Sequence, residues 1–153
     1  MALKGEESLN AMTDGSMVLT REDGWGEVKL GRIFQESECM EVGEQRGWIR
    51  NSMYEAYLGS SKTFTRRFEQ KLDPYLGLGE KLIFIIDGAI WIRNWITDAY
   101  PLATQILDWY HACEHLGDFA KEYFIEDTKK KKWIERQKTS CMTAILLVEI
   151  IVL

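Results

Sequence analysis

KLIFIIDG, Lys81 to Gly88, is the stretch that decides the fold. A continuous apolar run of this length is the pattern of a strand covered on both faces, as strands in parallel sheets are. It ends at Asp87-Gly88, a pair that permits a tight exit at the carboxyl end of the strand, where open α/β sheets hold their ligands.

Upstream of that strand, Phe64, Phe68, Leu72 and Tyr75 recur every three to four residues, with Arg66, Arg67 and Lys71 on the outside. This spacing predicts a helix from Ser61, capped by Ser60 or Ser61 and stopped at Asp73-Pro74. Further upstream, Thr13 to Leu19 and Glu27 to Phe34 flank the turn-rich TREDGWG and predict a hairpin, with Val28 and Leu30 sharing one face. Met53 to Leu58 reads as a third strand, ended by Gly59 and Ser60. Downstream, a helix over Trp91 to Ala99 stops at Tyr100-Pro101, and Thr104 to Trp109 reads as a short strand. A third helix follows, with Ala112, Leu116, Phe119, Ala120 and Tyr123 as its apolar stripe. The order of three strands, helix, strand, helix, strand, helix predicts an α/β fold. Its mixed sheet is antiparallel at one side and parallel at the other, with helices on both faces.

Composition agrees with one globular domain. The 153 residues are 46% hydrophobic and 28% charged with only 2 Pro, which excludes disordered and collagen-like classes. A net charge of -5 argues against a surface that grips nucleic acid everywhere, and leaves local basic patches open. The 3 cysteines form no Cys-x-x-Cys pair, so neither a disulfide scaffold nor a zinc ribbon is expected. The first residues, MALKGEESLN, lack the apolar run of a signal peptide, and the expected location is cytoplasmic. The apolar end MTAILLVEIIVL is too short for a hydrocarbon layer that needs about 20 residues, so no membrane association is expected.

Asp87 and Asp14, the latter also followed by Gly, are the residues that could carry chemistry. If the first and fourth strands are neighbours, the two carboxylates face one cleft. Paired carboxylates bring hard oxygen ligands to Mg²⁺ or Mn²⁺, and two such ions about 4 Å apart activate the attacking oxygen and stabilise the leaving oxygen of a phosphodiester. Asp-Gly is also a common turn dipeptide, and a strand-end hydrogen bond or a helix cap is the commoner role for such an Asp than a metal site.

The segments DGSMVLTREDGWGEVKLGRIF, Asp14 to Phe34, and IIDGAIWIRNWITDAYPLATQILDWYHACEHL, Ile85 to Leu116, resemble DDE-type insertion-sequence transposases of the ISKra4 group, which are distantly similar to Mutator-like transposases. The resemblance spans roughly residues 10 to 125 and includes YLGS at Tyr57 to Ser60. It implies an RNase H-like catalytic domain that cuts and joins DNA with Mg²⁺ or Mn²⁺, acting on insertion-sequence ends and target DNA. Active members are expected to work as homo-oligomers. Asp14 and Asp87 match the family's first two acidic positions and are thereby implied as catalytic metal ligands. The third, a Glu on a later helix, has no matching motif here, although Glu114, Glu122, Glu126, Glu135 and Glu149 are present. The expectation is a truncated core, inactive alone. A degenerate or domesticated DNA-binding remnant is the alternative.

His111, Glu114 and His115 also match H-x-x-E-H, the pattern of inverted zinc peptidases, which needs a further protein ligand. In the transposase reading this His pair borders the cleft or contacts DNA, or else is plain helix polarity. Asp108 either borders the same cleft or caps the helix carrying the two His. Lys129, Lys130, Lys131 and Lys132, with Arg136 and Lys138, either follow DNA phosphates or form a solvated helix face. The expected organisation is an N-terminal segment over 1–10, a catalytic core over 11–137 and an apolar tail over 138–153. The tail is read as frameshifted, β-prone and without a partner.

Overall fold

A computed structural model describes residues 7–42, 47–78 and 81–151. Its strands are β1 (Ser8–Thr20), β2 (Gly24–Gln35), β3 (Cys39–Glu41), β4 (Gly47–Ile49), β5 (Met53–Leu58), β6 (Lys81–Ile86) and β7 (Thr104–Leu107). Its helices are α1 (Ser61–Leu72), α2 (Ile90–Ala99), α3 (Trp109–Tyr123) and α4 (Asp127–Ile151). The chain divides into two compact units, one ending at Leu107 and one beginning at Asp108.

The first unit holds a mixed sheet in the order β5-β2-β1-β6-β7. β1 is antiparallel to β2, as is β5, whereas β6 is parallel to β1 and β7 to β6. The sheet is therefore antiparallel at one side and parallel at the other, as the element order predicts. The β1–β2 turn closes at Gly24, whose φ of 74° lies in the left-handed region that a side chain would strain. Thr20 Oγ1 accepts from the Asp23 amide at 3.1 Å and donates to the Gly24 carbonyl at 3.0 Å, which fixes the turn. A separate two-stranded pair, β3 with β4, was not expected.

One hydrophobic cluster joins sheet and helices: Leu9 and Ala11 of β1, Ile33 of β2, Phe84 and Ile86 of β6, then Phe64, Phe68 and Leu72 of α1 and Ile92 and Ile96 of α2. Both helices thus pack on a single face, so within this unit the expected cover of both faces is met on one. Full burial of each such side chain is worth about 1.5–3 kcal/mol, which makes these rings and branches the main stabilising set. Trp95 packs edge-on against Phe68 and Phe84, and its indole N–H donates to Glu69 Oε1. Ser60 caps α1 by accepting from the Thr63 amide at 3.3 Å. The helix ends at Leu72, directly before Asp73-Pro74.

Three features of the structure were not marked by the sequence pattern. The helices cover the face of Ile33, Gly31 and Lys29, opposite to that of Val28 and Leu30, and Leu30 is exposed. Gly31 is the reason: a Cβ there would run into the Phe68 ring and press on Phe64, so glycine opens the space for α1. The expected N-terminal segment 1–10 ends inside β1, which begins at Ser8. Ser8 and Asn10 are buried polar residues whose needs are met locally, Ser8 Oγ donating to Glu36 Oε2 at 2.8 Å and Asn10 Nδ2 to Ser8 Oγ at 3.3 Å. That polarity hides the start of the strand from a hydrophobicity pattern. The boundary expected at Lys138 falls inside α4, which continues as helix to Ile151, where a β-prone tail was expected.

In the second unit α3 and α4 meet through aromatic rings, Phe119 and Phe124 each packing against Trp133. Only part of the expected α3 stripe is covered: Ala120 is buried, whereas Phe119 and Tyr123 stack on each other and stay exposed. Among the described residues no helix is long and apolar enough to cross a membrane.

Candidate metal site beside the carboxyl end of β6

The parallel register of β1 and β6 runs through Thr13 opposite Ile86. Asp14 and Asp87 are the next residue on each strand, so they stand side by side where β6 ends. Side chains alternate along a strand. Thr13 is buried on the helix side, which turns Asp14 to the opposite face, whereas Asp87 lies one residue beyond β6. Asp14 is exposed and Asp87 half-buried.

Each carboxylate also accepts a local backbone hydrogen bond. Asp14 Oδ1 accepts from the Gly15 amide at 2.7 Å, and Asp87 Oδ1 accepts from the Ala89 amide at 2.8 Å. The second bond is an Asx turn that leads into α2 and tolerates Gly88 at a φ of 92°. Both roles weighed for these residues, strand-end bonding and pairing at one edge, are therefore compatible in geometry.

Two adjacent carboxylates suit Mg²⁺ or Mn²⁺ by donor chemistry, since such ions are commonly held by one or two carboxylates with water and phosphate oxygens filling the rest. Among the described residues no group of three or more His, Cys, Asp and Glu side chains gathers to hold a metal. Among the described residues no further protein ligand joins His111, Glu114 and His115 in such a group.

Behind the pair, on the helix side, sits a charged cluster the sequence reading missed. Lys29 is only 5% exposed, and its ammonium donates to Glu27 Oε2 and to the Gly59 carbonyl, each at 2.7 Å, while lying 5.9 Å from the Trp91 ring centre. Gly15 faces it across the register, and a Cβ there would collide with Glu27 Oε1. The cluster thus ties β2, the loop before α1 and α2 together beside the middle of β1, next to Asp14. Its signal in the sequence was a lysine at the inward step of the Lys29, Gly31, Ile33 alternation.

None of the known family models matches the chain, and no curated protein or solved structure is significantly similar to it.

The remaining predicted residues lie in the second unit. Asp108 caps α3, accepting from the Tyr110 amide at 2.9 Å and the His111 amide at 3.3 Å, and its Oδ1 meets His111 Nδ1 at 3.3 Å. His115 is exposed. Lys129 and Lys130 are each paired with an acid one turn back, Glu126 at 2.8 Å and Asp127 at 3.1 Å. Lys131 and Lys132 make no ion pair among the described residues and are exposed.

Proposed function

We propose that the chain is the RNase H-like core of a DDE-type insertion-sequence transposase, with DNA as its partner and Asp14 and Asp87 holding Mg²⁺ or Mn²⁺. The observation that carries this reading is the strand order β5-β2-β1-β6-β7, in which β1 and β6 are parallel neighbours and the two Asp follow the paired residues Thr13 and Ile86. That order puts the first long strand in the middle of the sheet, as a two-carboxylate site on non-consecutive strands requires. It also agrees with the resemblance of Asp14 to Phe34 and Ile85 to Leu116 to the ISKra4 group.

A bound divalent ion would supply charge stabilisation and an activated oxygen at a phosphodiester. The chain's own residues do the positioning. Asp87 is oriented by its bond from the Ala89 amide, Asp14 by the Gly15 amide, and Lys29 braces β1 beside Gly15 from behind. With two carboxylates and no third acid beside them among the described residues, metal binding is expected without efficient strand transfer.

Calorimetric titration with Mn²⁺ tests the reading. Saturable binding that disappears in both Asp14→Asn and Asp87→Asn supports it, and binding unchanged in either variant overturns it.

A further inference from the structure

A second feature of the sheet unit lies at the edge strand. An open groove of about 520 Å³ runs between β5 and α1, lined by Tyr57, Thr63, Arg66, Arg67, Gln70 and Lys71 above Glu55. Glu55 is 5% exposed and accepts two cations at once, Arg67 Nε at 2.5 Å and Lys71 Nζ at 2.7 Å. Lys71 also donates to the Tyr54 carbonyl at 2.6 Å, and the Arg67 guanidinium stacks 5.4 Å from the Tyr57 ring centre. Arg66 makes no hydrogen bond or ion pair among the described residues.

One carboxylate therefore holds two cations in fixed places, and a third cation stands beside them, so the groove keeps a surplus of positive charge on a chain of net charge -5. Arg67 and Lys71 keep 49% and 42% of their side-chain surface exposed, which leaves donors facing the groove. Arg67 and Lys71 converge on the two oxygens of one carboxylate, so they present their remaining donors from one spot, with Arg66 beside them on the same helix. The groove opens on the helix side of the sheet, whereas Asp14 turns to the other face. Glu55 pairs with Gly31, and Gly31 with Thr13, so Glu55 stands two strand spacings, about 10 Å, from the residue before Asp14.

We propose that the β5–α1 groove holds the sugar–phosphate backbone of a DNA strand, with Arg66, Arg67 and Lys71 on its phosphates. This rests on the transposase reading for the choice of DNA as the polyanion, but not on metal binding.

Fluorescence anisotropy with a short labelled DNA duplex, in EDTA and across a salt series, tests it separately from the Asp pair. Arg66→Ala should weaken binding and lower the slope of log affinity against log salt by about 1, and Arg66→Glu should weaken it further. Glu55→Gln, which removes the one negative charge in the groove and keeps hydrogen-bonding oxygen, should tighten binding if the variant stays folded. Affinity and salt slope unchanged in both Arg66 variants would overturn the proposal whatever the Glu55 variant does. Equal affinity for poly-glutamate, with the same Arg66 dependence, would overturn the assignment to DNA. Loss of Mn²⁺ binding with DNA binding intact would count against the metal reading alone.

Discussion

Asp87 offers the sharpest test, because its two roles respond differently to two substitutions. Its Oδ1 accepts from the Ala89 amide at 2.8 Å at the entry to α2. Asn ranks with Asp in such bonds, whereas Ala removes the acceptor and costs about 1 kcal/mol. Asp87→Asn should therefore unfold in urea at nearly the wild-type midpoint, and Asp87→Ala should lose about 1 kcal/mol, a shift of roughly 0.5 M for a slope near 2 kcal/mol per M. A metal ligand adds a second signature. Mn²⁺ at about 100 times its dissociation constant should stabilise the wild type by about 2.7 kcal/mol through mass action. Neither variant should show that gain. The assay is urea unfolding followed by tryptophan fluorescence, with Mn²⁺ and with EDTA. An Asp87→Asn protein that keeps the full Mn²⁺-dependent shift would refute the metal role and leave only the turn.

Gly31→Ala should destabilise by about 3 kcal/mol, at the upper end for overpacking, because Phe68 is hemmed in by Phe64 and Trp95 and cannot retreat from the added methyl. A normal urea midpoint would show that α1 has more freedom than this packing allows. Lys29→Met keeps the stem beside Trp91 but strips the Gly59 carbonyl of its donor, an expected loss of about 1–3 kcal/mol in the same assay. Hydrogen bonding from Lys71, aided by Arg67 and opposed by burial, holds the Glu55 carboxyl below the usual range. Its contribution is present above the unfolded-state value near 4.3 and is lost as pH falls through the lower folded value. Acid unfolding should thus be shallower in Glu55→Gln than in the wild type, and identical profiles would remove Glu55 as a source of the acid slope.

Periodicity alone carried much of the architecture. Lys81–Ile86 and Met53–Leu58 end at the residues their flanking turn signals mark, and α1 stops where Pro74 makes continuation costly, because strand and helix repeats and proline sterics are local properties. The order of elements then limited the sheet to a mixed one. Which face would be buried was not local. Val28 and Leu30 are more apolar than Lys29 and Gly31, yet the helices settled over the latter, since only Gly31 admits the Phe64 and Phe68 rings and Glu27 with Gly59 satisfies the lysine.

The same division holds for the sites. Asp14 and Asp87 each precede a Gly, as Asp23 also does, but their adjacency depends on β6 pairing with β1, a contact between distant segments that chain pattern alone leaves open. Asp108 was equally suited to a cleft or a cap, and two backbone amides of α3 show it in the capping role. Glu55 looked like an ordinary polar residue of an edge strand. Its burial between Arg67 and Lys71 follows from α1 folding back along β5, so the groove exists only in the tertiary structure. Sequence by itself determined the element types and the residues able to bear charge, because backbone sterics and side-chain chemistry are carried by each residue. Only the tertiary structure decided which charges meet, because that depends on strand pairing and packing between segments far apart in the chain.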